Sequence, residues 1–432
     1  MKNVLCTLGV LAMLGLVGTP APAGEKRRIE LGDGHYQIAL DPDLGTTPPP
    51  FLGGAIEWEY AGQATYFRGS REGLGVRSAV PVVPDVGPSD LMTSLMRSEM
   101  VDAHGRRFKV KKVHEGLQRE VIEEYDREVE REIGLEPAEL TRGDGKTRKA
   151  EPQDGIVTPL SWTRSDQDGD GNLDLFLWDG DSRQLVSSPL TDAQKETVLF
   201  LGGTTGTDAT MCSGVLVGAQ FALTAHHCIV DSSGSFLSEA GKICTRGNYY
   251  SGADCANVEA IFTNGNYGGT GDMGDDFALL RIDETLGSDN FMRLSQASDS
   301  TLEANTAYNL GHPGLTPGGS TNLFYSSGSN CSMNSGTLQG GEQSDAYAPC
   351  ESRLYKGSGE VNVTRNKVIG TRIDISGGQS GGPIFYLPNG SSGNHFLTGL
   401  MVANHKGSSD YNGGPKIPYH RDWIVSVMNA NR

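Results

Sequence analysis

Downstream of Leu190 the chain is written as short apolar runs broken by turn residues, and that punctuation constrains the fold most. Cys212 to Val217, Phe221 to Thr224, Phe277 to Ile282, Lys367 to Ile373, Pro383 to Leu387 and Phe396 to Ala403 are strand-like, with Gly, Ser and Asn between them. Such spacing predicts an all-β architecture.

Between two of these runs lies Ile375-Ser376-Gly377-Gly378-Gln379-Ser380-Gly381-Gly382-Pro383. A serine among glycines can sit at a turn where its hydroxyl is exposed and neighbouring backbone N–H groups point the same way, as an acyl-transfer nucleophile requires. A Gly/Ser cluster is otherwise an ordinary loop. Two further stretches separate these readings: Thr224-Ala225-His226-His227-Cys228 places histidine beside cysteine, and Asp275-Asp276-Phe277-Ala278-Leu279-Leu280 places carboxylates before an apolar run. Histidine, aspartate and serine thus occur in one chain order, each in a distinctive context.

With Gly311-His312-Pro313-Gly314 as a fourth motif in register, the chain from about Glu196 to Met428 resembles the chymotrypsin/trypsin superfamily of serine endopeptidases, and within it the bacterial branch that includes the glutamyl endopeptidases. The resemblance implies two packed six-stranded antiparallel barrels and a short C-terminal helix, here Trp423 to Met428. It assigns Ser380 as nucleophile, His227 as general base and Asp276 as its orienting carboxylate, with the backbone N–H groups of Gly378 and Ser380 as oxyanion hole. His227 is favoured over His226 because the family's base directly precedes the cysteine, and Asp276 over Asp275 because the family's carboxylate stands directly before the apolar strand. His312, His405 and His420 read as structural or surface residues. The same resemblance pairs Cys212 with Cys228.

For the substrate pocket the resemblance points to Asp374, Ile375, Met401 and Asn404, with Val402, Ala403 and Asn404 as an edge strand able to bind an extended peptide. Asp374 occupies the place that selects Arg or Lys in trypsins, yet the glutamyl branch commonly has aspartate there too. Ile375 and Met401 replace the Thr and His that bind glutamate in that branch, so the resemblance carries no glutamate preference unless His405 reaches the pocket. Gln379 stands where animal trypsins have the aspartate that pairs with the new N-terminus after activation; it can accept a hydrogen bond but bears no charge.

Composition fixes the compartment. Residues 1–23 combine Lys2, an apolar run from Val4 to Val17 and Ala21-Pro22-Ala23, the pattern of a secretory signal peptide, which predicts a secreted or periplasmic protein. Removing it with Cys6 leaves Cys212, Cys228, Cys244, Cys255, Cys331 and Cys350, an even set suited to disulfides in an oxidising compartment. Proximity along the chain suggests Cys244–Cys255 and Cys331–Cys350. A balance of 36 Lys+Arg against 53 Asp+Glu, net −17, argues against nucleic acid or an anionic membrane as partner; protein or peptide substrates are what the resemblance implies.

Residues 24–188 read as a propeptide, removed near Arg183 to Ser188 to leave a protease domain over 189–432. Its first part, from Gly24 to about His104, is rich in Gly and Pro and is expected to be irregular or weakly folded. Val113, Leu117, Val121, Tyr125, Val129 and Ile133 then predict one apolar face of a helix over 113–133. Thr141 to Asp154 reads as an exposed linker open to proteolysis.

Asp166, Asp168, Asp170, Asn172 and Asp174 alternate along an acidic loop with glycine at its sixth position, so they could wrap calcium, although Leu177 replaces the closing Glu of an EF-hand. An acidic turn without a ligand is the other reading. No cofactor is expected for catalysis. The function implied is that of a secreted serine endopeptidase made as a zymogen; the alternative is a non-catalytic, protease-like binding module with a calcium loop, disfavoured because all three residues of the triad are retained.

Overall fold

The strand-like runs of the C-terminal half build two antiparallel barrels. The computed structural model describes residues 27–67, 80–81, 91–114, 119–127, 155–159, 175–176, 182–186, 190–202, 210–230, 236, 241–245, 255–269, 272–286, 291–313, 354–387, 395–407 and 411–431. In the first barrel Lys242–Thr245 lies beside Thr197–Gly202, followed in space by Thr210–Gly218, Phe221–Thr224, Ala278–Ile282 and Cys255–Thr263. Cys255–Thr263 then pairs back onto Lys242–Thr245 and closes the cycle. The Cys244–Cys255 disulfide joins residues that face each other across this last pair.

The second barrel runs through Phe396–Met401, Gly382–Tyr386, Thr306–Gly311, Tyr355–Thr364, Val368–Thr371 and Tyr411–Pro415. A bridge between Gly399 and Lys416, with a hydrogen bond from Val402 N–H to Gly413 O at 2.9 Å, brings its ends together. Its interior holds Leu302, Ala307, Val361, Ile369, Ile373, Ile375, Ile384 and Met401. The strand Ala403–Gly407 pairs with Tyr411–Pro415 on one side, which leaves its other edge facing away from the barrel's ring.

The terminal helix spans Ile417–Ala430, longer than the Trp423 to Met428 expected, with proline in its first turn, where a missing N–H costs nothing. Trp423 meets Phe277 edge-on at 5.5 Å, and the Arg281 side chain donates to Asn431 O at 3.0 Å, so the helix is fastened to the first barrel.

Within the N-terminal region expected to be irregular, the described residues form strands, while 68–79 and 82–90 lie outside the described residues. Ile56–Gln63, Glu99–Asp102 and Arg106–Val113 are strands, and Glu99–Asp102 pairs with Cys255–Thr263, so the first barrel's sheet continues outward to nine strands. Trp58, Leu95, Met100 and Phe108 are buried in the same core as the barrel. Trp423 Nε1 donates to Ser98 Oγ at 2.8 Å, tying the terminal helix to this extension. The Gly- and Pro-rich sequence around these strands hid them.

The start of the helix expected over 113–133 is corrected as well, while 115–118 and 128–133 lie outside the described residues. Val113 ends a strand and pairs with Ile56. The described helical residues run from 119 to 127, with Tyr125 buried and accepting a hydrogen bond from Leu294 N–H at 3.2 Å. Arg106 to Val113 places Phe108 and Val110 on alternate residues, a period-two pattern that wins over the four-residue spacing starting at Val113.

Candidate active site

Each candidate side chain is set by a different local device. His227 lies in the single turn His226–Cys228 that follows Phe221–Thr224, and the Cys212–Cys228 disulfide ties that turn to a neighbouring strand. Asp276 sits just ahead of Ala278–Ile282. The His227 N–H donates to Asp276 Oδ1 at 2.9 Å, while Nδ1 lies 2.6 Å from Oδ2. The backbone contact anchors the carboxylate, and the ring contact sets the tautomer with its proton on Nδ1.

Ser380 comes from the second barrel, and its Oγ lies 2.9 Å from His227 Nε2. Asp276, His227 and Ser380 are 2 %, 4 % and 0 % exposed, so their contacts are shielded from solvent. The turn around Ser380 needs glycine at two places: Gly378 has φ +92° and Gly381 φ +82°. At Gly381 a Cβ would lie 2.2 Å from Ser213 O. Among the described residues, the backbone N–H groups of Gly378 and Ser380 donate to no protein acceptor.

Ser213 had no signal in the sequence beyond its place beside Cys212, yet it joins the barrels at the site. Its N–H donates to Ser380 O at 2.7 Å, its Oγ donates to Gly378 O at 2.9 Å, and that hydroxyl accepts from His312 N–H at 2.8 Å. His312 is therefore a buried structural residue.

The neighbours weighed in the sequence occupy other environments. His226 packs against Tyr267 with ring centroids 4.2 Å apart, and burial lowers its pKa to about 4, leaving it neutral. Asp275 accepts from Lys367 Nζ at 2.5 Å and Asn264 Nδ2 at 2.9 Å. The same ammonium lies 3.3 Å from Asp272. His420 is lowered to about 4 by burial, and its Nε2 lies 2.7 Å from Gly274 O; His405 stacks on Tyr411 at 4.5 Å.

Of the pocket candidates, Ile375 and Met401 belong to the interior of the second barrel, and Asn404 donates to Asn412 Oδ1 at 2.7 Å. Asp374 is buried and accepts from Ser182 N–H at 2.8 Å, with the Ser182 hydroxyl donating to the same oxygen. Arg183 Nη1 donates to Gln379 Oε1 at 2.7 Å, and Gln379 in turn donates to Asn309 at 2.9 Å. Asp166, Asp168, Asp170, Asn172 and Asp174, like Cys331 and Cys350, lie outside the described residues.

A buried carboxylate, imidazole and hydroxyl in hydrogen-bonded series, beside a glycine turn, form the constellation of nucleophilic acyl transfer. The trypsin family's sequence profile matches residues 190–424. The chain belongs to the trypsin family. This trypsin-family chain is a serine endopeptidase with protein or peptide substrates. Two solved structures are similar to it. One, a Glu endopeptidase in complex with MPD, is 19% identical, covers 59% of this chain and 98% of its own, and gives a TM-score of 0.42. The other, a thermostable serine protease from an extremophilic microorganism, is 15% identical, covers 55% of this chain and 99% of its own, and gives 0.37. A search of the curated proteins returned no match. Among the described residues of this trypsin-family protein, no helix is long and apolar enough to cross a membrane.

Proposed function

We propose that this protein is an exported endopeptidase that cleaves peptide bonds through Ser380, His227 and Asp276. The observation that carries the reading is the unbroken series from Asp276 Oδ2 through the imidazole to Ser380 Oγ, at 2.6 and 2.9 Å. His227 Nε2 takes the hydroxyl proton as Ser380 Oγ attacks the scissile carbonyl, and Asp276 stabilises the imidazolium that forms. The N–H groups of Gly378 and Ser380 meet the developing oxyanion, an interaction whose loss typically costs about 10²–10³-fold in rate. The tetrahedral intermediate collapses as His227 returns the proton to the leaving amine. Water, activated by the same histidine, then hydrolyses the acyl-enzyme.

The protein is made as a precursor, and a cut near Arg183 to Ser188 belongs to its maturation. The three N-terminal strands are paired into the first barrel's sheet, so the cut leaves them docked without a covalent link. Export follows from the signal-like segment over 1–23 and agrees with the two disulfides. The acidic loop from Asp166 to Asp174 is proposed to bind calcium outside the catalytic steps; EGTA is expected to lower the melting temperature.

Digestion of a mixed peptide library, read by mass spectrometry, tests the catalytic reading. Ser380→Ala is expected to lower kcat/KM by about 10⁴-fold or more. Undiminished cleavage by that variant would assign the chemistry to another residue. Cuts confined to Arg and Lys would assign the pocket floor to Asp374.

A further inference from the structure

Several short pieces of the chain upstream of residue 190 converge on the active site. Gly155–Pro159 pairs antiparallel with Ala403–Gly407, from Gly155 opposite Gly407 to Pro159 opposite Ala403. The strand therefore runs toward the nucleophile: just before Ala403 in sequence, Met401 O accepts the N–H of Gly381, beside Ser380, at 2.7 Å. Leu175–Phe176 pairs with Ile375–Ser376, immediately ahead of the nucleophile turn. Ser182 engages the buried Asp374, and Arg183, itself 3 % exposed, engages Gln379. Gln184–Leu185 then pairs with Tyr355 and Lys356.

A free strand edge beside a nucleophile is where an extended peptide gains main-chain hydrogen bonds and presents its carbonyl. That edge is filled here by the chain itself, and the buried carboxylate next to it is also taken. The catalytic series is nevertheless assembled, with His227 and Ser380 at 2.9 Å and Gly378 already at φ +92°. Arg183 gives Gln379 a charge-assisted donor, so the residue before the nucleophile is oriented in the uncut chain.

We infer that Gly155–Pro159, Leu175–Phe176 and residues 182–186 act together as a built-in, substrate-like inhibitor: the precursor is latent because its peptide-binding edge and the Asp374 site are occupied, while its catalytic residues are already in place. This rests on the endopeptidase reading above. It names what must still leave after the cut near Arg183 to Ser188, namely Gly155–Pro159 from its place beside Ala403–Gly407 and the Ser182–Arg183 contacts.

The test compares full-length chain with Val157→Pro, since proline supplies no N–H and does not fit a strand paired on both sides. Two readouts are taken, hydrolysis of a fluorogenic peptide mixture and labelling by a small fluorophosphonate that counts competent serines. Equal labelling with at least tenfold faster hydrolysis by Val157→Pro is expected. A synthetic peptide of residues 153–161 should then inhibit the variant competitively. Should Val157→Pro misfold, the Ser182→Ala/Arg183→Ala chain carries the same comparison. Equal labelling with unchanged hydrolysis overturns the inference and leaves the endopeptidase reading standing; labelling of neither folded chain overturns both.

Discussion

Ser380 is positioned by backbone geometry around it, and that makes Gly381 the most sensitive neighbour. Its positive φ and the 2.2 Å approach of a Cβ to Ser213 O leave no room for a side chain. Gly381→Ala is expected to lose a few kcal/mol of stability and most of the activity, checked by thermal melting and peptide hydrolysis. Asp276→Asn keeps the volume but favours the wrong imidazole tautomer, so kcat should fall by about 10⁴-fold with the fold intact. That His227, Asp276 and Ser380 come together was legible in the sequence because each has a local signature: a neighbouring cysteine, a following apolar run, a glycine frame. Ser213 and Arg183 were not, because their partners Gly378 and Gln379 lie 165 and 196 residues away. A contact made only by folding leaves no local pattern.

Among the elements, the loop joining Cys255–Thr263 to Ala278–Ile282 carries a buried ionic cluster beside Asp276. Lys367 reaches it from the second barrel and lies between Asp272 and Asp275. Replacing it with methionine leaves two buried carboxylates facing each other, and breaking such a cluster costs about 3–5 kcal/mol. Lys367→Met should therefore show that loss in denaturant unfolding, and adding Asp272→Asn should recover part of it, a coupling that a double-mutant cycle measures. The barrel strands were readable because apolar runs and turn residues alternate. The N-terminal strands were not, because the sequence around them carries Gly and Pro at a density resembling a linker, and their pairing depends on Cys255–Thr263, far along the chain. The helix over 113–133 misread its start because Val113 fits both periodicities.

Taken as a whole, the molecule joins N-terminal strands, first barrel and terminal helix through shared sheet and core. A chain nicked near residue 188 should consequently elute from a sizing column as one complex and separate only in denaturant. Its stability should also depend on Glu196. Burial, with Asp192 nearby, pushes this carboxyl from 4.5 up to about 8. Between those values the native state keeps a proton that the unfolded chain has lost, so stability declines as pH rises from about 4.5 to about 8. Glu196→Gln removes that decline: its melting temperature should match the parent at pH 4 and exceed it by a few degrees at pH 8.5. The central claim, that Ser380 is activated by His227, is tested most directly by fluorophosphonate labelling followed by peptide mapping. The account predicts one adduct, on Ser380, formed at least 10²-fold more slowly in His227→Ala. An adduct elsewhere, or an unchanged rate in that variant, would contradict it.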